Sequence, residues 1–338
     1  MNQAVTHLMN WRHYSATPNE SEGSAISVFC PKCKRKYYIH SKKMPQNEKV
    51  VARCKICDNR FQIKFSNRKY LSQMDSDSQK APDTGNPART IGVIISKGGV
   101  GKTTTAVNLS AGLALSGFKV LLVDTDTQGQ DSYMLGIKPA AGLSEYLIGE
   151  VKLEEAMAKA RDNLWVLAGG KSLAGVKRMI DRKVFGGERM LAEALEPLKN
   201  SFDYIIVDTS PGWDPISVNV LFYVKEILIP VSLEVMSFHG LMEFMKSLSS
   251  IQKYRKEVML KYVLPTFLDK RVNSPIRLFK KLSELYGEYI CKPIRYNVSF
   301  SEAPAYGQTI YEFAPGSNGT EDYRELVRQV ADDASLLR

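Results

Sequence analysis

The sequence predicts an α/β protein whose main body is a doubly wound, mostly parallel sheet, preceded by a small cysteine-bearing domain. Three observations carry that expectation. From Thr90 onward, short runs rich in Val, Ile and Leu alternate with stretches of helical periodicity, the order that builds a parallel sheet covered by helices. The first of these runs leads through a glycine-rich turn into a helix, "TIGVIISKGGVGKTTTAVNLSAGLALSG". Ahead of it, four of the five cysteines fall in two C-x-x-C pairs.

In chain order, residues 1–27 are polar and read as a flexible tail. Val5, Leu8, Met9 and Trp11 stand there at helical spacing, the pattern of a short partner-binding helix. No basic stretch followed by an apolar run marks this end as a secretory signal. Residues 28–65 are compact, basic and punctuated by cysteines, whereas 66–89, with two prolines and many polar residues, read as a linker. The formal net charge of +10 is concentrated in front: residues 1–88 hold 15 Lys and Arg against 7 Asp and Glu, and the rest is nearly balanced. A polyanion partner and a merely solvated lysine-rich surface both fit that asymmetry.

The pairs Cys30/Cys33 and Cys54/Cys57 are 20 residues apart, a spacing that suits one tetrahedral Zn²⁺ held by four thiolates. Reduced or redox-active cysteines are the alternative. The segment is similar to small zinc ribbons, with Tyr37, Tyr38, Phe61 and Phe65 as its core and Lys32, Lys34, Arg35, Lys36, Lys42 and Lys43 available to phosphates or to a docking protein. Cys291 stands alone and is expected to pack as a small apolar residue.

In residues 90–338 the candidate strands are 90–96, 119–124, 164–168, 204–208, 226–231 and 258–267, hardly alternating, as strands buried on both faces should be. A helix is expected from Thr103 to Ser116, stopped by Gly117. Between the first strand and that helix, the loop of Gly98, Gly99, Val100 and Gly101 can turn backbone N–H groups toward phosphate oxygens, with the helix's positive end behind them. Lys102 can neutralise β- and γ-phosphates, and the Thr103 hydroxyl suits Mg²⁺. The pattern G-x-x-x-x-G-K-[ST] is met except at its first glycine, which is Ser96 here. Asp124 and Asp208 end two buried runs. In an open parallel sheet such ends line the ligand crevice, so Asp208, helped by Asp124, could hold Mg²⁺ through water and Asp126 could orient a water at the γ-phosphate. Taken singly, each Asp could equally be a loop-capping carboxylate.

The segments "KGGVGKTT", "DTDTQG" and "DTSPG", followed by "EILIPVSLEVMSFHGL" and "YNVSFSEAPAYGQTIYEFAPGSNGTEDYRELVRQV", resemble in order the deviant Walker A, Walker A′ and Walker B motifs of ParA-type ATPases of the ParA/MinD superfamily. The resemblance spans about 90–338. It departs at Ser96, at Thr127 and at Ser210, the last two where prolines are common. It implies a P-loop NTPase fold, ATP hydrolysis with Mg²⁺, an ATP-bound homodimer, non-specific DNA binding, and stimulation by a ParB-like or cargo-adaptor partner, in the cytoplasm at the nucleoid. It also implies that Lys97 reaches the partner subunit's phosphates across the dimer, that Thr104 touches the α-phosphate and that Asn297 sits at the adenine.

Lys253, Arg255, Lys256, Lys270, Arg271, Lys280 and Lys281 are candidate DNA-phosphate contacts, each also readable as a solvated helix face. Membrane binding of the MinD kind is disfavoured by the acidic "GTEDYRELVRQVADDASLLR" at the C-terminal end, since a membrane-surface helix should be basic on its polar face. Trp213 is read as a packing or partner residue. An alternative reading makes the ribbon a DNA-binding or docking module switched by nucleotide. A tyrosine kinase on a related loop is weak, for no tyrosine cluster follows.

Overall fold

The computed structural model describes residues 87–337 and, before them, the strand segments 7–9, 25–29, 36–40, 49–53 and 60–64. The chain forms two compact units, Met1–Gln79 and Lys80–Arg338.

In the first unit, β1 (His7–Met9) runs parallel to β4 (Lys49–Arg53), which pairs antiparallel with β5 (Arg60–Lys64). A separate antiparallel pair joins β2 (Ala25–Phe29) and β3 (Lys36–His40). Leu8 and Met9 therefore belong to a strand and not to the helix their spacing allows. Cys30, Cys33, Cys54 and Cys57 lie outside the described residues.

The second unit is built on a seven-stranded sheet. Its strands are β6 (Arg89–Val93), β7 (Val120–Asp124), β8 (Met157–Arg161), β9 (Leu164–Leu167), β10 (Tyr204–Asp208), β11 (Glu226–Ser232) and β12 (Met259–Thr266). They lie in the spatial order β12-β11-β6-β10-β7-β9-β8. All pairings are parallel except that of β8 with β9. The β6, β7, β9, β10, β11 and β12 runs are the six expected from sequence, with ends shifted by up to three residues. The antiparallel edge strand β8, "MAKAR", was not expected. It is half exposed and carries two basic residues, as an edge strand can.

Strand residues alternate between two separate cores, which makes the sheet doubly wound. In β7, Val120 and Leu122 pack with α1 (Lys102–Leu115) and α7 (Asn318–Ala331), while Leu121 and Val123 pack with helices on the other face. Those are α3 (Leu173–Arg182), α4 (Pro215–Tyr223), α5 (Val235–Gln252) and α6 (Asn273–Tyr286). The C-terminal helix α7 buries Tyr323, Leu326, Val327 and Val330 in this core, so its apolar stripe is already used. Among the described residues no helix is long and apolar enough to cross a membrane.

The order of strands decides where chemistry can gather. β10 lies between β6 and β7, with Asp208 level with both Val93 and Asp124. The loop after β6 and the carboxylates ending β10 and β7 therefore open at one edge of the sheet.

Candidate phosphate and metal crevice

The loop leaves β6 at Val93 and turns into α1 at Lys102, one residue before the expected start. Gly99 and Gly101 have φ of 73° and 87°, a region that strains any side-chain-bearing residue, so glycine is required for this turn. Gly101 is the N-cap of α1 and offers no side chain, which leaves the first N–H groups of the helix available to an anion. The loop is braced from outside. The Thr266 hydroxyl donates to the Val100 carbonyl (2.9 Å), and the Gly212 N–H donates to the Ser96 carbonyl (2.8 Å). A glycine is thus not needed at position 96, where the carbonyl is the working group.

The two lysines of the loop differ in setting. Lys102 is buried and its Nζ donates to the Lys97 carbonyl at 2.8 Å. Burial holds its pKa below the ordinary lysine value, opposed by the nearby charges of Asp208 and Asp126. Lys97 is half-buried on the rim, its Cβ against Gly240 of α5, and has no ion pair among the described residues. Thr104 is half-buried in the first turn of α1, and its carbonyl accepts from Asn108 Nδ2 at 2.8 Å.

Beneath the loop lie the carboxylates. Thr103 Oγ1 donates to Asp208 Oδ2 at 2.7 Å. Asp124 is fully buried and accepts from the Asp126 N–H (2.8 Å) and the Asp131 N–H (3.3 Å). Gly169 closes against it: a Cβ there would lie 2.6 Å from Asp124 Oδ1. Asp126 is half-buried at the next turn, and its Oδ1 accepts from the Gln128 N–H at 3.0 Å. Desolvation is the largest cause that raises the acids, to about 7 for Asp124 and about 8 for Asp208. Mutual repulsion adds to this, and hydrogen bonds from neighbouring N–H and hydroxyl groups oppose it.

Asp131 was not singled out from sequence, and the structure places it here. It stands in the first turn of the short helix α2 (Gln130–Met134) and is fully buried. Asp124, Asp131 and Asp208 each bring an oxygen within 4.8 Å of the others. Asp208 Oδ1 and both Asp131 carboxylate oxygens have no hydrogen-bond partner. Unpaired, hard, all-oxygen donors next to a threonine hydroxyl fit a divalent cation such as Mg²⁺, and the amide-lined loop and Lys102 fit a polyphosphate.

Beside the start of α1, Phe267 packs near Gly101, and the chain then lines a cleft of about 510 Å³ with Asn297, Tyr296, Lys270, Arg271 and Asn318. Asn297 Oδ1 accepts from the Ser299 N–H at 2.9 Å. Two basic candidates for DNA, Lys270 and Arg271, therefore border this cleft, and Arg271 is paired with Asp269 (2.7 Å). Arg255 is paired with Glu257 (3.1 Å), and Lys281 covers the Phe238 ring. Lys253, Lys256 and Lys280 are exposed. Ser210, where the resemblance suggested proline, donates to Asp214 Oδ2 (2.9 Å), and Asp214 also caps α4 and pairs with Lys177. Trp213 is 42% exposed and meets Phe244 edge-on. Cys291 is buried, and burial pushes its thiol up to about 12.

The family model described as an AAA domain (AAA_31) matches residues 88–261. The sporulation initiation inhibitor protein Soj of Bacillus subtilis is 35% identical over 72% of this chain and 98% of its own length. The chromosome-partitioning ATPase Soj of Thermus thermophilus is 32% identical over 72% and 95%. Among solved structures, cobyrinic acid a,c-diamide synthase of Mycobacterium smegmatis with bound ATP analogue and magnesium superposes with a TM-score of 0.64 at 27% identity, covering 72% of this chain and 94% of that one. A variant of Cyanothece McdA in its ATP complex shares the fold, with a TM-score of 0.66 at 22% identity over 75% of this chain and 100% of that one. With a glycine loop, a buried lysine and strand-end carboxylates gathered at one crevice, and with this likeness across the whole α/β unit, the chain is an ATPase that belongs to the Soj/ParA family.

Proposed function

We propose that this ATPase is a ParA-like positioning switch. It binds ATP with Mg²⁺, pairs with a second copy of itself, holds DNA without sequence preference, and lets go when a ParB-like protein or cargo adaptor stimulates hydrolysis. The output is segregation of DNA or positioning of a cargo in the cytoplasm, on the nucleoid. The names of the relatives, chromosome-partitioning ATPases in several bacteria, support the output. The observation that carries the reading is the split between the two loop lysines: Lys102 buried in the cradle, Lys97 on the rim without an ionic partner among the described residues.

In this reading, Gly98, Gly99, Val100, Gly101 and Lys102 cradle the phosphates, with Thr104 at the α-phosphate and Asn297 at the adenine. Thr103, Asp208 and Asp124 hold Mg²⁺, partly through water. The cation would neutralise charge on the β- and γ-phosphates. Lys97 crosses to the nucleotide of the second copy, where a cation supplied in trans ties turnover to dimer state. Cys30, Cys33, Cys54 and Cys57 hold Zn²⁺ in the N-terminal unit. Asp126 orients the attacking water.

The test separates binding from turnover. Asp126→Ala should still bind ATP, sediment as a dimer with ATP and remain on DNA, while phosphate release falls by about 10²-fold or more. A variant that binds ATP yet stays monomeric and off DNA would refute the switch.

A further inference from the structure

We propose that Asp131 is a third carboxylate of the divalent-cation site, so that the nucleotide-free protein captures Mg²⁺ or Mn²⁺ on Asp124, Asp131 and Asp208 before any phosphate arrives. This deepens the reading of the crevice as an ATP–Mg²⁺ site and rests on it.

An aspartate in the first turn of a helix ordinarily turns its carboxylate back to the free N–H groups of that turn. Asp131 does not. Both of its oxygens are buried and without a hydrogen-bond partner. Its backbone N–H is the only part of it committed to the acidic floor, donating to Asp124 Oδ2 at 3.3 Å. The charged groups that act on its side chain are Asp124, Asp208 and Asp126, and every one of them repels it. Lys102 acts on Asp208 and Asp126, but it is not among the charges that act on Asp131, and its Nζ donates to the Lys97 carbonyl.

Three carboxylates whose oxygens lie within 4.8 Å of one another are an expensive arrangement in a dry site unless a cation lies among them. The donors are all hard oxygens, which selects Mg²⁺ or Mn²⁺ over a softer metal. A Mg²⁺ site of the usual phosphate-loop kind takes one or two carboxylates and relies on the nucleotide for the rest. A third buried carboxylate moves more of the binding to the protein. Asp131 can meet the metal directly or accept hydrogen bonds from the waters it keeps. Either way its charge is part of the site. Asp124 is fixed for this role by two N–H groups and by the backbone at Gly169, leaving little room for the cluster to relax apart.

The experiment is a Mn²⁺ titration of the nucleotide-free full-length protein followed by electron paramagnetic resonance, with Mg²⁺ as competitor. The wild type should bind Mn²⁺ that Mg²⁺ displaces. Asp131→Asn, which keeps the shape and removes the charge, should weaken that binding by about 10-fold or more. It should also shrink the rise in melting temperature that Mg²⁺ gives the wild type. ATP affinity measured in saturating Mg²⁺ reports on the nucleotide site, so its absence would sink the functional reading, whereas Mn²⁺ capture without nucleotide reports on Asp131. Equal Mn²⁺ affinity in wild type and Asp131→Asn would overturn the proposal, because a neutral Asp131 merely packed beside Asp124 predicts that result. So would a wild type that binds no Mn²⁺ without nucleotide. If Asp131→Asn does not fold, Asp131→Ser takes its place, and failure of both to fold would make the residue structural and overturn the proposal equally.

Discussion

The same parallel strands treat charge in opposite ways at their two ends. At the N-terminal edge, Arg89 of β6 makes two hydrogen bonds to Glu226 of β11 (2.8 and 2.6 Å) and one to the Tyr262 hydroxyl of β12 (2.9 Å), and it also reaches the Val330 carbonyl of α7. Asp203, just before β10, accepts from the Lys119 N–H just before β7 at 2.7 Å. Arg89, Glu226 and Asp203 each have a partner there. At the C-terminal edge, three buried carboxylates crowd together with unpaired oxygens, and Lys102 Nζ, though its charge favours ionised Asp208, donates its hydrogen bond to a carbonyl. The first edge is finished by folding. The second is left incomplete, at a cost to the protein's own stability of the kind a functional site carries.

Breaking the unfinished edge should abolish function and spare the fold. The largest effect belongs to Lys97→Ala. If Lys97 supplies charge across the dimer, turnover should fall by about 10³-fold or more while ATP affinity changes little. Phosphate release and sedimentation with ATP, measured on one preparation, check this. Wild-type turnover would remove Lys97 from the site. Lys102→Ala should act earlier, weakening ATP binding itself by about 10- to 100-fold, the worth of one charge-assisted hydrogen bond to phosphate. Equilibrium binding in the presence of Mg²⁺ shows whether the loss is in affinity, as expected of a cradle residue, or only in rate.

The finished edge should answer in the opposite way. Glu226→Gln removes the charge facing Arg89 but leaves that guanidinium the Tyr262 hydroxyl and the Val330 carbonyl. A loss of about 1–3 kcal/mol in stability follows, short of that for a fully buried pair because Arg89 keeps those partners and some water. ATP turnover below the melting transition should be unchanged. A fall in turnover as large as that of the loop variants would show that the two edges are coupled through β6 and β11, and the contrast between them would fail.

How much of this could be read in advance follows from how local each signal is. The loop, Lys102, Thr103, Asp124 and Asp208 were legible because strand, glycine turn and strand-end carboxylate are patterns of adjacent residues. That they converge depends on β10 lying between β6 and β7, which a rule about parallel sheets could anticipate. Asp131 was not legible: an acid in the first turn of a helix is ordinary, and its unusual burial appears only when β7, β10 and α2 are brought together. Edge strand β8 hid for the opposite reason, since "MAKAR" is too polar to announce a strand. Asn297 came from resemblance alone, and nothing local marks it. For the basic residues, sequence shows Arg255 and Arg271 as charges but not that each pairs with an acid, Glu257 and Asp269.

The smallest effect is expected from the region farthest from this contrast in chemistry. Residues 1–79 form a compact unit of their own, and every group named in the crevice belongs to the other. Where to cut matters. Ala88 is buried, its N–H donates to the Lys199 carbonyl (2.7 Å), and the Arg89 N–H donates to the Asp203 carbonyl (2.9 Å), so a truncation reaching residue 88 would damage the finished edge of the sheet. Deleting 1–79 avoids that. Basal ATP turnover should then stay close to that of the full chain, and one Zn²⁺ per chain should be lost if the four cysteines hold it. What should change is the salt dependence of DNA binding. With 11 Lys and Arg against 2 Asp and Glu, residues 28–65 keep a positive charge even after four thiolates and a Zn²⁺ are counted. If they touch phosphates, their removal should lower the slope of log affinity against log salt by about 0.9 for each phosphate no longer neutralised. An unchanged slope with altered partner recruitment would assign the unit to protein docking. A collapse of ATP turnover would mean that the crevice depends on the N-terminal unit, and that the two are not the separable modules the chain suggests.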